Sequence, residues 1–239
     1  MKRVIPRREL LGAPVALGGL QAFTTVDFPG RLAAVLFCQG CLWNCTYCHN
    51  DGLRPLPAAG RAEDWRREWN ASLAFLHGRR GMLDGVVFSG GEPLVQAGLA
   101  EAMAEVRTLG FAVGLHTSGA SPARLRRVLP HCDWVGFDIK ALPEDYARVT
   151  GSAASGQAAW KSLAVVRESG VGYEVRTTWD RRLLAESDLL RLAERLAARG
   201  VSHWVVQACR DDQQRPQAGP SPALLASLRG RLPGVSWRQ

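Results

Sequence analysis

The segment LAAVLFCQGCLWNCTYCHN, residues 32–50, joins an apolar run to a loop that contains several cysteines. The run ends at Cys38, and Cys41, Cys45 and Cys48 follow with three and then two residues between them. A short, near-continuous run of Leu, Ala, Val and Phe is typical of a parallel strand that is covered on both faces. Thiolates spaced this closely in an irregular loop can converge on one metal centre. The segment therefore predicts a buried strand whose carboxyl end opens into a metal-binding loop over residues 38–50.

Several chemistries fit this loop, and the spacing alone leaves them open. Three thiolates on a [4Fe–4S] cluster leave one iron without a protein ligand, and such an open position can bind a cofactor or substrate. A structural zinc site would use the four cysteines of the loop as two pairs of ligands. A redox-active CxxC pair and a set of inert buried thiols are further alternatives. We favour the cluster, and we expect the cysteines of apolar segments to be small core residues: Cys38, Cys132 and Cys209.

Further apolar runs repeat along the chain, with helical patterns between them. The predicted helices are clearest over 94–109 and 188–199, and a glycine follows each. Alternating strands and helices predict an α/β fold, a partial (β/α)6 parallel barrel two units short of a closed one. Segments without periodicity predict loops over 54–61, 151–157 and 211–222, the last leading to a short helix. The predicted strands are 32–38, 84–90, 112–118, 133–140, 172–179 and 203–209.

Unusual polar motifs stand at the ends of the predicted strands. Functional residues of such folds gather at the carboxyl ends of the strands. One rim is therefore expected to carry the cysteine loop and the motifs SGGEP (89–93), HTSG (116–119), DIK (138–140) and RTTW (176–179).

The composition is that of a soluble globular protein. Of the 239 residues, 46% are hydrophobic and 22% charged, and no apolar run approaches the about 20 residues of a membrane span. We expect one domain over 1–239, with an N-terminal extension over 1–20. Arg7-Arg8 imitate an export signal, but Pro14 breaks the apolar stretch that follows and no clean cleavage site appears, so a cytoplasmic protein is expected.

The net charge of +8 comes mainly from arginines. They are scattered over amphipathic segments and form no block, which favours solvated helix faces over a nucleic-acid site. An acidic protein partner also fits this sign of charge.

The cysteine spacing and the SGGEP motif together resemble the radical S-adenosylmethionine (SAM) superfamily. The longer segment TTVDFPGRLAAVLFCQGCLWNCTYCHNDG, residues 24–52, resembles the glycyl-radical enzyme activases, and among them the activating proteins of anaerobic ribonucleoside-triphosphate reductase. The resemblance extends through DIK and Thr150-Gly151-Ser152 into RTTW, and so covers most of the chain.

The resemblance implies a role for each matching residue. Cys41, Cys45 and Cys48 would ligate a [4Fe–4S] cluster, and SAM would bind the fourth iron. Asp27 and His49 would face the glycine loop of a partner protein. Arg176 is added as a candidate cofactor contact because its planar guanidinium suits a carboxylate or phosphate, with a surface salt bridge as the alternative. The candidate cofactor-binding residues are Tyr47, Asn50, Ser89, Gly90, Gly91, Glu92, Thr117, Ser118, Asp138, Lys140 and Arg176.

Three further residues keep alternatives. His116 stands where the pyruvate formate-lyase activase has an aspartate, which puts a monovalent cation site near Asp138 in doubt. His116 is either a ligand contact or a core histidine with satisfied hydrogen bonds. Asp138 and Lys140 are either part of the cofactor site or a structural pair, and we favour the cofactor site.

The implied reaction is reductive cleavage of SAM, which forms a 5′-deoxyadenosyl radical that takes a hydrogen atom from a glycine of a glycyl-radical partner enzyme. No protein acid or base is assigned. An external electron donor such as flavodoxin or ferredoxin is expected, because the chain has no flavin or dinucleotide motif. No membrane or nucleic-acid partner is expected. The alternatives are a radical SAM enzyme that modifies a small molecule or RNA and, less favoured, a zinc-organised binding module.

Overall fold

The computed structural model describes residues 15–58, 60–211, 213 and 215–239. They form two compact units, each assembled from separate stretches of chain. Among the described residues, those of the first unit fall within 15–42, 50–117 and 123–135, and those of the second fall within 43–49, 118–122 and 136–239. Arg7, Arg8 and Pro14 lie outside the described residues.

The first unit is built on four strands in the order β1 to β4. Strand β1 pairs antiparallel with β2, and β2, β3 and β4 run parallel. Phe28 packs with the buried side chains of β2 and β3. The strands are β1 Leu17–Thr24, β2 Ala33–Cys38, β3 Gly85–Gly90 and β4 Ala112–Thr117, and the helices are α1 Ala62–His77, α2 Leu99–Thr108 and most of α3 Pro122–Val128.

The second unit contains three adjacent parallel strands, β6, β7 and β8. Strand β5, Trp134–Asp138, contributes its last three residues to this unit. The other strands are β6 Gly172–Trp179, β7 His203–Ala208 and β8 Gly234–Arg238, and the helices are α4 Tyr146–Thr150, α5 Ser155–Glu168, α6 Glu186–Ala197 and α7 Pro222–Arg231.

The predicted α/β class, the six predicted strands and the short helix after residue 221 are confirmed. Parallel pairing is confirmed for β2, β3 and β4 and for β6 and β7. Strands β1 and β8 were not predicted, because β1 exposes most of its side chains and lacks an apolar run. The helix predicted over 94–109 was wrong at its start: Pro93–Val95 form a 3-10 turn and α2 begins at Leu99. The loop predicted over 151–157 was wrong at its end, since α5 begins at Ser155. No described helix is long and apolar enough to cross a membrane.

Candidate active site

The SGGEP motif forms a tight turn at the end of β3. Gly90 has a φ of +114°, which favours glycine. A side chain at Gly90 would collide with the backbone of Cys38, and one at Gly91 would collide with the carbonyl oxygen of Gly40. The amide of Gly91 donates to Cys38 O (2.9 Å) and that of Glu92 donates to Gly40 O (2.8 Å). The glycines thus allow the turn to lie directly against the start of the cysteine loop.

The Glu92 side chain stabilises the turn from inside. It is buried, and its Oε1 accepts hydrogen bonds from the amide of Leu94 (3.0 Å) and the hydroxyl of Thr117 (2.5 Å). A buried carboxylate needs such donors, because an unpaired one would pay the full cost of losing water. Glu92 and Thr117, both predicted cofactor contacts, therefore bond to one another.

Cys41 lies in the first unit, where the loop leaves the sheet. Its amide donates to Arg54 O (3.0 Å), and the amide of Gly40 donates to Leu53 O (2.7 Å). The Asn50 side chain makes a long contact with Gly90 O (3.5 Å). The outgoing and returning arms of the loop are therefore joined at their base by backbone hydrogen bonds.

Asp27 and His116 are in contact in the first unit. His116 Nε2 lies 2.8 Å from the backbone carbonyl of Asp27, and its Nδ1 lies 3.5 Å from Ser89 Oγ. A carbonyl can only accept, so Nε2 carries the proton, and in the neutral ring Nδ1 accepts from Ser89. The Asp27 carboxylate accepts from Thr24 Oγ1 (2.6 Å). Of the two alternatives for His116, the structure supports a histidine with satisfied hydrogen bonds. The His116 side chain orients the turn that carries Asp27.

The second unit holds Cys45, Tyr47 and Cys48 on one short segment. The amide of Cys48 donates to Cys45 O (3.1 Å), which closes a turn between the two cysteines. The Tyr47 ring lies 5.6 Å from Lys140 Nζ. Its hydroxyl is buried and has no hydrogen-bond partner among the described residues. Burial raises the pKa of the Cys45 thiol, and the nearby Lys140 ammonium opposes that shift.

Two cations meet one carboxylate where β5 ends. Arg176 Nε donates to Asp138 Oδ1 (2.9 Å), and Lys140 Nζ lies 3.7 Å from Asp138 Oδ2. Gly136 leaves room for the guanidinium, since a side chain there would lie 2.6 Å from Arg176 Nη1. Burial lowers the pKa of Lys140, but its electrostatic interactions with Tyr47, Cys45 and Asp138 outweigh burial and raise the pKa well above 10.5. The group keeps a net charge of +1 in a largely buried place, which suits a ligand carboxylate.

The remaining candidates lie elsewhere on the units. Ser118 is buried and His49 is exposed, both in the second unit. Sequence reasoning missed Tyr146, whose buried hydroxyl accepts from the amide of Lys140 (2.9 Å). An aromatic residue eight positions after Asp138, in a short helix, gave no signal of this contact.

The six cysteines fall into two groups, and none forms a disulfide. Cys38, Cys132 and Cys209 are buried, as predicted. Burial raises the pKa of Cys132 to about 12 and of Cys209 to about 11, so both stay thiols at neutral pH. The thiols at the motif positions are instead partly exposed: Cys41, Cys45 and Cys48.

Comparison with known proteins identifies the family. The model of the radical SAM superfamily matches residues 35–181, more than half of the chain. This chain belongs to the radical SAM superfamily. A protein of Methanocaldococcus jannaschii named as a candidate glycyl-radical enzyme activating enzyme is 26% identical over 185 residues, 74% of each chain. The pyruvate formate-lyase-activating enzyme of Staphylococcus aureus is 33% identical over 144 residues, 56% of this chain and 57% of that enzyme. The predicted resemblance to activases is thus confirmed.

Solved structures show the same fold. A radical SAM methyltransferase from Sphaerobacter thermophilus aligns over 95% of this chain and 77% of its own, with a TM-score of 0.65 at 15% identity. A domain of a pyruvate-formate lyase-activating enzyme from Bacteroides vulgatus aligns over 64% of this chain and 98% of its own, with a TM-score of 0.50 at 20% identity. The predicted partial (β/α)6 barrel is the fold of this superfamily.

The donor set of the radical SAM chain suits an iron–sulfur cluster. Within the described ranges, no three His, Cys, Asp or Glu side chains are grouped as ligands of a single metal ion. A [4Fe–4S] cluster makes a different demand, because each thiolate binds a different iron. Cys41, Cys45 and Cys48 are partly exposed thiols outside any disulfide, which is the donor chemistry that such a cluster uses.

Proposed function

We propose that this chain is a glycyl-radical enzyme activase that binds SAM and a [4Fe–4S] cluster, the latter through Cys41, Cys45 and Cys48. The observation that supports it most is the pair of hydrogen bonds that join the SGGEP turn to residues 38 and 40. These bonds hold the turn against the start of the cysteine loop. A SAM molecule that binds the cluster and also contacts the turn would require this arrangement. The activase activity rests on the names of the relatives.

When bound, a reduced cluster would supply one electron for cleavage of SAM into methionine and a 5′-deoxyadenosyl radical, and that radical would take a hydrogen atom from a partner glycine. The proposed role of the chain's own residues is to bind SAM and to orient it. The backbone of Gly90 and Gly91, next to Asn50, offers a close approach for the methionine part of SAM. Lys140 and Arg176 bring the net positive charge that favours its carboxylate, and Tyr47 offers a hydroxyl and a ring face.

We further propose a partner of the anaerobic ribonucleotide reductase type and an external electron donor such as flavodoxin or ferredoxin. The turn that carries Asp27 is the proposed contact with the partner's glycine loop, together with His49. Hydrogen bonds hold this turn through Thr24 and His116, which suits a surface that must present a fixed shape. We propose that residues 1–239 act as one cytoplasmic radical SAM domain.

Anaerobic reconstitution tests the proposal in two stages. The reduced protein with SAM is expected to release 5′-deoxyadenosine, and Cys45→Ala is expected to release none, with Cys209→Ala as the matched control. An anaerobic ribonucleotide reductase from the same genome is then added, and a doublet glycyl radical signal is sought by electron paramagnetic resonance. SAM cleavage without a glycyl radical in this reductase would overturn the proposed partner. SAM cleavage without a glycyl radical in any glycyl-radical protein of the same genome would overturn the activase proposal and favour the alternative of a small-molecule or RNA substrate. A protein that binds zinc and no cluster would overturn both.

A further inference from the structure

Two glutamines lie at the base of the cysteine loop in the first unit. Gln39 follows β2 and precedes Cys41 by two residues, and Gln96 follows the 3-10 turn of the SGGEP motif. Gln96 is buried and Gln39 is not exposed. Neither belongs to the residues assigned above to cofactor or partner.

The Gln96 carboxamide makes two hydrogen bonds of fixed direction. Its Oε1 accepts from the amide of Ala16 (3.0 Å), and its Nε2 donates to the carbonyl of Gln39. The amide of Gln39 in turn donates to Ala16 O (2.9 Å). Because an amide N–H can only donate and a carbonyl can only accept, the Gln96 side chain cannot be flipped without losing both bonds.

The Gln39 side chain extends this network to the other arm of the loop. Its Nε2 donates to Pro55 O (2.8 Å), with a longer contact to Gly52 O (3.4 Å). Gln39 therefore bonds to the returning arm through its side chain and to Gln96 through its carbonyl. We name this pair, Gln39 with Gln96, the glutamine clasp.

We infer that the glutamine clasp is a positioning device that sets where Cys41 stands relative to the SGGEP turn. The inference rests on the proposed role of Cys41 as a cluster ligand. Backbone bonds at Gly40 and Glu92 already bring the turn and the loop together. The clasp adds side-chain bonds on either side of that junction, so that the carbonyl before Gly40 and the residue after the turn cannot move separately. Outer contacts of this kind change metal-site properties by about 10–100-fold when they are removed.

The test compares Gln96→Leu with Gln96→Glu, Gln39→Leu and the control Gln21→Leu, a glutamine of exposed β1 in the same unit. In the protein without a cluster, hydrogen–deuterium exchange at residues 38–42 and 52–55 is expected to rise about tenfold in Gln96→Leu and Gln39→Leu and not in Gln21→Leu. Gln96→Glu keeps the acceptor for Ala16 but places a carboxylate oxygen against the Gln39 carbonyl, so a rise at least as large as that in Gln96→Leu is expected.

The reconstituted variants supply the second readout. In Gln96→Leu and Gln39→Leu, we expect a shift of the electron paramagnetic resonance signal of the reduced cluster and of its change on addition of SAM. The concentration of SAM that gives half of that change is expected to rise about tenfold. A wild-type protein that binds no cluster would overturn this inference together with the proposed function. A normal wild-type cluster, with exchange and SAM response in the clasp variants equal to those of Gln21→Leu, would overturn the inference alone.

Discussion

In the first unit the buried carboxylate of Glu92 accepts hydrogen bonds from Leu94 and Thr117, whereas in the second the buried hydroxyl of Tyr47 has no partner in the described part of the chain. The first arrangement is complete without a ligand. The second leaves a polar group unpaired, beside the net positive charge around Lys140. A buried polar group without a partner costs free energy, so we expect the second unit to gain more from a bound cofactor than the first.

The largest effect should come from the proposed cluster ligands, which occur in both units. Cys41→Ala, Cys45→Ala and Cys48→Ala are each expected to reduce SAM cleavage to an undetectable level and to lower the iron content, because each removes a thiolate ligand. Iron analysis and 5′-deoxyadenosine release measure both effects.

The matched controls are the buried cysteines, Cys132 in the first unit and Cys209 in the second. Replacing either by alanine should retain iron and activity, at a cost of about 1 kcal/mol in stability. Full activity in any one of the three ligand variants would contradict the assignment of that ligand.

Removal of Arg176 should have the next largest effect. Arg176→Leu is expected to lower the free energy of unfolding by about 3 kcal/mol, because it deprives a partly buried carboxylate of its shortest ion pair. It should also weaken SAM binding by at least tenfold, since the net charge of the group falls from +1 to zero. Urea unfolding and equilibrium dialysis with SAM measure the two effects.

Arg238→Leu is a suitable control, because Arg238 pairs with Glu174 in the same unit but is 43% exposed. Surface pairs contribute about 1 kcal/mol or less, and SAM binding should not change. Equal effects of the two variants would mean that the Asp138 group is an ordinary surface network.

A smaller effect is expected in the first unit. Glu92→Leu should lower the free energy of unfolding by about 2 kcal/mol, because the amide of Leu94 and the hydroxyl of Thr117 lose their acceptor. Glu92→Gln should remain close to the wild type, since its carboxamide oxygen can accept both bonds. If Glu92→Gln proved as unstable as Glu92→Leu, the negative charge itself would matter and the first unit would not be complete without a ligand.

Sequence patterns predicted the strands that contain a short apolar run, and with them the places where β2, β3, β4, β5 and β6 end. They could not predict β1, whose exposed face removes the apolar run, or β8, which is five residues long. Motif spacing gave candidate site residues but not the pairing of their side chains. That Glu92 bonds to Thr117, or Gln96 to the Gln39 carbonyl, depends on side-chain directions at sequence separations of 25 and 57 residues. No local pattern encodes such contacts.

The smallest expected effect distinguishes the two units most clearly, because the variant is expected to gain stability where most substitutions lose it. Tyr47→Phe removes a buried hydroxyl that has no partner among the residues the structure describes, so the cofactor-free protein should become more stable by about 1 kcal/mol. The same change should weaken SAM binding a few-fold if the hydroxyl contacts the cofactor.

The matched variant Tyr146→Phe removes a hydroxyl that accepts from the Lys140 amide, and it should destabilise the protein by about 1 kcal/mol. Thermal unfolding without cofactor and dialysis with SAM give both signs. A loss of stability in Tyr47→Phe equal to that in Tyr146→Phe would mean that the Tyr47 hydroxyl is already paired, and the contrast between the units would fail.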